Sequence, residues 1–270
     1  MFRFANENDR ESLLVLWNSC FGDGEKYVYP FLDTFLKEDN VYIFEDAGKA
    51  VSAVYALDCK IGKYKGIYFY AVATDENYRR QGLAKKEIEF LIDYKTKKGT
   101  DVFLLTPSNE KNRSYYKTLG FEDFFYCGKK TFSKGDEKSR ISEDFSADEL
   151  FELREKGWEE TEFVSFPKEH FSFALRFSEK IFTEKEDGKI TAYALVDGKK
   201  ITELYAGENR EKFVSAVLEK IDTEQAEIYI PVTDKYKSDS CKIPRGMIYC
   251  SNKDLMEILS ENTFLSLNLE

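Results

Sequence analysis

The sequence predicts an α/β protein of the segregated, α+β kind, in which a mixed central sheet is flanked by helices. Three observations carry that reading. Strand-like runs follow one another directly across short turns, helical periods then alternate with short apolar strands, and the second half repeats the order of the first.

The first element is a helix. In "DRESLLVLWNSCF", residues 9 to 21, Leu13, Leu14, Leu16 and Trp17 form an apolar stripe behind a serine and several charges. An aromatic segment, "YVYPFLDTFL", follows. The runs "NVYIFED", "AVSAVYALD" and "GIYFYAVAT" then read as strands, with turn chemistry at Ala47-Gly48-Lys49 and between Gly62 and Gly66. Such runs form an antiparallel meander. From Leu83 the period changes: Ala84, Ile88, Leu91 and Ile92 share a helical face, and lysines 95, 97 and 98 precede Gly99, as a helix C-terminus prefers. "DVFLLTP" is a short strand stopped by Pro107, "EKNRSYYKTLGF" a helix ended by Gly120, and "EDFFYCGKKTF" a further strand. Residues 133 to 148, rich in Ser, Lys, Asp and Glu, read as a linker.

The second half echoes this order. "IFEDAGKAVSAVYAL" (43 to 57) is matched by "IFTEKEDGKITAYAL" (181 to 195), and "AVATDEN" by "LYAGEN" (204 to 209). The helix around "KFVSAVLEKI" answers the one after Gly82, and "EIYIP" answers "VFLLTP". Several matches in register favour duplication over coincidence between two meanders. The expected organisation is residues 1–132 as the first, catalytic domain, 133–148 as linker, and 149–270 as a degenerate copy. After Asn209 nothing corresponds to "RRQGLA".

Composition excludes several classes. A 42% hydrophobic content with 16% aromatics is globular, and no run approaches the ~18 apolar residues of a membrane helix. The opening "MFRFANENDRESLL" lacks the apolar core of a signal peptide, so a cytoplasmic location is expected, with no membrane partner. A net charge of −10 argues against nucleic acid, which needs a basic face. That charge is compatible with a cationic substrate, although solubility alone accounts for it. The five cysteines form no CxxC pair and His170 is the single histidine, so no metal is expected and the thiols read as reduced and buried.

The segment with chemistry in it is "NYRRQGLAKKEIEF", residues 77 to 90. A glycine opening a helix costs roughly 1 kcal/mol against alanine, so Gly82 implies a close approach to the backbone. A strand ending in "VAT", a short loop and then a helix offer several unpaired N–H groups to an anion, and the arginines add charge-assisted contacts. Neither GxxxxGK[ST] nor GxGxxG occurs, which leaves a pyrophosphate loop of another type.

Here the sequence resembles the GCN5-related N-acetyltransferase (GNAT) superfamily, over residues 1 to about 132. The family's Q/R-x-x-G-x-G/A loop is matched by Arg79-Arg80-Gln81-Gly82-Leu83-Ala84, followed by Lys85. "NEKNRSYYKTLGF" is similar to its later motif, with Asn109, Tyr116, Gly120 and Phe121 at the family spacings, although Asn112 stands where a small residue is common. The resemblance implies a GNAT fold followed by a degenerate GNAT-like domain. It implies that residues 79–85 hold the pyrophosphate of acetyl-coenzyme A, that Val72, Ala73 and Thr74 pair with its pantetheine arm, and that Asn109 lies near it.

An acetyl transfer to an amine on a small molecule or peptide would then need a proton for the departing thiolate. Tyr116 is the candidate, ahead of Tyr115, because a helix turns adjacent side chains to different faces. No general base is visible: a water chain, a carboxylate of the second half and the C-terminal carboxylate of Glu270 all stay open. Trp17, Phe21, Tyr27, Tyr29 and Phe31 read as core or as an acceptor pocket. The paired domains resemble enhanced-intracellular-survival-type acetyltransferases, without their third domain. The rival expectation is a coenzyme-binding sensor or interaction module that transfers nothing. A homo-oligomer and a longer acyl group also stay open.

Overall fold

In this computed structural model residues 1–157, 162–207, 209–232 and 242–266 are described. In chain order the elements are β1 (Phe2–Phe4), α1 (Arg10–Cys20), α2 (Glu25–Phe35), β2 (Val41–Asp46), β3 (Lys49–Ile61), β4 (Tyr64–Thr74), α3 (Leu83–Lys97), β5 (Val102–Leu105), α4 (Glu110–Lys117) and β6 (Glu122–Ser133). There follow β7 (Ile141–Ser142), α5 (Ala147–Gly157), β8 (Val164–Ser165), α6 (Lys168–Phe177), β9 (Lys180–Glu186), β10 (Lys189–Asp197), β11 (Lys200–Ala206), α7 (Arg210–Lys220), β12 (Gln225–Pro231), β13 (Ile243–Cys250) and α8 (Asp254–Ile258).

Two compact units result: Met1–Asp123 with Gly246–Leu259, and Phe124–Arg245 with Ser260–Glu270. The division therefore differs from the expected break at residue 132. Met247 to Cys250 pair antiparallel with Leu105 to Val102, so a strand from far along the chain completes the first sheet. The stretch expected as linker also holds structure, since Ile141 and Ser142 pair with Glu184 and Thr183. Both departures have one cause: long-range pairing leaves no local signature in composition.

In the first unit β1, β2, β3 and β4 are antiparallel neighbours, and β4 pairs parallel with β5. β3 and β4 are buried on both faces, which is why they read as nearly unbroken apolar runs. On one face Val54, Ala56, Ile67 and Phe69 meet Ile88 and Leu91 of α3 and Tyr116 of α4. On the other, Tyr55 and Tyr70 pack against Trp17 and Phe31 with ring centroids 5.1 to 5.9 Å apart. Trp17 and Phe31 are thus core residues, at 1% and 0% exposure, while Phe21 is exposed and Tyr27 and Tyr29 are half-buried.

In the second unit β11, β10, β9 and β7 form an antiparallel sheet, and β12 pairs with β6. Phe213, Val214, Val217 and Leu218 of α7 close its core against Phe182, Ala192 and Ala194. His170 is buried and stacks on Phe166 at 4.1 Å. The echo between halves is visible in the hairpins. Ala47-Gly48 and Asp187-Gly188 both carry left-handed φ at each residue, the two-residue turn that twisted strands favour. A register shift lies close to each turn, at Phe44/Glu45 and at Ile190/Ala192.

Candidate active site

The site begins where β4 outruns its neighbour. The last β4–β5 pair in register is Tyr68 with Leu104, so Phe69 to Thr74 present one backbone edge with no β5 partner. On the β3 side the register jumps between Ala53/Ala73 and Tyr55/Tyr70, and Ala71 takes a φ of 45°. That is a bulge, which twists a strand and frees backbone groups from the ladder. Val72, Ala73 and Thr74, expected to face the pantetheine arm, lie at this bulged end of β4, and the sequence carries no sign of the bulge because alanine has no left-handed preference.

A one-turn 3-10 helix, Glu76–Tyr78, leads from the end of β4 into the loop. Arg79 turns its Nε back to donate to the Thr74 carbonyl at 3.1 Å, and Gln81 Nε2 donates to the Asn77 carbonyl at 3.3 Å. Arg80, at φ 63°, is exposed and has no partner among the described residues. Gly82 then occupies the N-cap of α3 at φ 75°. A Cβ there would meet nothing within 4 Å, so the glycine answers backbone conformation and leaves open space above the helix end.

The electrostatics of that end are unusual. No side chain caps α3 and no acidic residue lies in its first turn. Every other described helix, 3-10 turns included, has a carboxylate there. α3 instead follows Arg79 and Arg80 and carries the exposed Lys85, which makes only a 3.7 Å pair with Glu89. Positive side chains beside the positive end of a helix dipole are unfavourable unless an anion is supplied. Leu83 is buried and anchors the first turn, and Ala84 is half-buried. The echo of this helix in the second unit differs: α7 starts at Arg210 with Glu211 in its first turn and Asn209 at φ −85°.

Tyr116 and Tyr115 separate as helix geometry requires. Tyr116 is 9% exposed, shares a cluster with Phe69, Phe121 and the half-buried Val72, and its hydroxyl makes no hydrogen bond within the described residues. Burial, with a smaller contribution from Tyr115, pushes its phenol well above the ordinary range, so it stays protonated at physiological pH. Tyr115 is 36% exposed. Asn109 caps α4, accepting from the Asn112 N–H at 2.9 Å, while its Nδ2 donates to Ser108 Oγ at 3.2 Å. Its oxygen is therefore engaged in holding the Tyr116 helix. Asn112 donates to the same Ser108 hydroxyl at 2.8 Å, which accounts for an amide at that position.

Three site features went unread in the sequence. Cys20 Sγ stands 3.7 Å from the Thr74 carbonyl. Asp23 accepts from Trp17 Nε1 at 2.7 Å; burial raises the phenols of Tyr27 and Tyr70, whose hydroxyls are 3.0 Å apart, and the Asp23 charge adds to it. Glu87, on the buried face of α3, lies with Oε2 2.6 Å from Ser52 Oγ. Its spacing from Ala84, Ile88 and Leu91 was the available signal.

A family profile described as an acetyltransferase (GNAT) domain matches residues 1–124. Those residues are a GNAT domain. A GCN5-related N-acetyltransferase from Kribbella flavida is similar in structure, with a TM-score of 0.71 at 14% identity over 93% of this chain and 70% of that one. Another from Anabaena variabilis gives 0.75 at 12% identity over 93% and 73%. Eis1 from Mycobacterium abscessus gives 0.65 at 10% identity over 93% and 73%. These likenesses show the fold, and at 93% coverage they run well past residue 124. No curated protein matches the chain in sequence.

Proposed function

We propose that this chain is an acetyl-coenzyme A dependent N-acetyltransferase acting on a primary amine of a small molecule or protein. The observation that carries the reading is the uncapped, acid-free N-terminus of α3 behind Arg79 and Arg80. The coenzyme's diphosphate suits that cradle, where the N–H groups of Leu83, Ala84 and Lys85 have no intrahelical partner. The bulged end of β4, Val72 to Thr74, offers backbone groups to the pantetheine arm and the thioester oxygen. The bound thioester supplies an activated acyl group. Tyr116 holds a proton on Oη for the departing thiolate, and burial keeps it there.

The acceptor side falls to Asp23 of the loop between α1 and α2, with the paired hydroxyls of Tyr27 on α2 and Tyr70 on β4, which suit an ammonium group. The second unit is read as a degenerate copy without a coenzyme site, consistent with the carboxylate at the start of α7. Cytoplasmic location belongs to the same proposal, and no described helix is long and apolar enough to cross a membrane.

The test is a panel of amine acceptors with thiol release as readout, run on the wild type and on Tyr116→Phe. Release with at least one amine is expected, and the variant should lose about 100-fold or more in turnover while its coenzyme affinity stays within about twofold. Coenzyme binding without release for any amine would favour the non-catalytic module instead.

A further inference from the structure

α3 carries a carboxyl group that the reaction above does not use. Glu87 is fully buried, at 0% exposure, and its Oε1 has no hydrogen-bond partner. Its Oε2 lies 2.6 Å from Ser52 Oγ, itself fully buried. The Ser52 oxygen in turn lies 3.0 Å from Thr74 Oγ1 and 3.1 Å from the Ala73 carbonyl. A buried carboxyl is thereby connected, through one hydroxyl, to the end of β4.

The protons in this cluster can be counted. A serine hydroxyl donates once and accepts twice. The Ala73 carbonyl can only accept, so its contact needs the Ser52 proton. If Glu87 is protonated, its O–H donates to Ser52, Thr74 donates to Ser52, and Ser52 donates to Ala73. Every contact is then a hydrogen bond, and 2.6 Å is an ordinary O–H···O length. If Glu87 is ionised, Ser52 must donate to it, and the 3.1 Å approach to Ala73 sets two acceptors against each other. The observed geometry is satisfied by the neutral acid.

From this geometry we infer that Glu87 is a positioning residue which, in its protonated form and through Ser52, holds the Ala73–Thr74 end of β4 in the shape that receives the coenzyme. The inference rests on the proposed coenzyme reading for its consequence, but not for the hydrogen-bond arrangement. Ionisation acts twice in one direction. It removes the Ser52 support from Ala73, and it places a negative charge about 7.5 Å along the helix axis from Gly82, behind the anion cradle.

The surroundings place this change near neutral pH. The groups facing Glu87 are Tyr42 and the Phe44 backbone on β2, Ser52 on β3, Thr74 on β4 and Tyr115 on α4. None is a cation. Burial therefore dominates over the opposing influence of the Ser52 hydroxyl and the nearby Phe44 backbone, and pushes the carboxyl up to about 8.

The experiment measures binding of S-ethyl-coenzyme A, a thioether with no titrating thiol, to the full chain between pH 7 and 9.5. Wild-type affinity should fall about tenfold across that range, equivalent to one unit of linkage, whereas Glu87→Gln should vary by less than twofold. Backbone amide exchange at Ala73, Thr74 and Asp75 without ligand, corrected for its intrinsic pH dependence, supplies a readout independent of the coenzyme. Extra opening above pH 8 is expected in the wild type alone. Parallel exchange in the two proteins would overturn the coupling. Differential exchange with no thioether binding at any pH would overturn the coenzyme reading and, with it, the role assigned to Glu87 in coenzyme binding.

Discussion

A glutamate buried without a cation is a cost that the fold bears at Glu87. The folded state raises its proton affinity from the ordinary carboxylate value to about 8, while the unfolded chain keeps the ordinary value. Between roughly pH 4.5 and 8 the folded protein therefore binds the extra proton, and stability declines as pH rises, by up to about 1.4 kcal/mol per pH unit. Above 8 both states are ionised and the slope ends. Glu87→Gln removes the titration, so its melting temperature should fall less than the wild type's between pH 5 and 8; superimposable pH profiles would contradict this. The residue also marks the limit of reading side chains from sequence. The helical period that placed Ala84, Ile88 and Leu91 inward placed Glu87 with them, but a charge in a helix is ordinarily solvated. The separation of a buried Tyr116 from an exposed Tyr115 was legible, because adjacent side chains on a helix face different ways.

Among the elements, α3 was legible from end to end. Its apolar face, its terminal lysines and Gly99 fixed the helix, and the glycine at its start marked the loop. The bulge in β4 was not legible, since Ala71 at φ 45° is held there by the neighbouring strands. β1, three residues long, was missed for the same reason: it exists through its pairing with β2. The α3 cradle can be tested by Gly82→Asp. Aspartate tolerates left-handed φ better than most residues, and no atom obstructs its Cβ, so folding should be little affected. A carboxylate at that helix end should nonetheless weaken coenzyme binding at least 100-fold. An unchanged dissociation constant would mean that the diphosphate sits elsewhere.

At the scale of the whole molecule, the echo between the halves was visible in sequence while the division was not. The two hairpins share a turn type and a nearby register shift, yet β12 takes its partner from β6, and β13 returns to pair with β5. The second unit also buries an ion pair of its own. Arg154 Nε is 3.0 Å from Glu203, which also accepts from Tyr193, and Arg154 Nη2 donates to Ser266 at 2.8 Å. Nothing comparable stands in the first unit among the described residues, so the two units differ in their cores as well as in their loops.

The claim on which these functional readings rest is that α3 of the first unit grips a diphosphate. Calorimetric titration of the full chain with acetyl-coenzyme A tests it most directly, with thermal melting alongside. Saturable binding is expected and, at ligand about 100 times the dissociation constant, roughly 2.7 kcal/mol of added stability, seen as a melting shift of about 5 °C or more. No heat and no shift, with the protein folded, would contradict it.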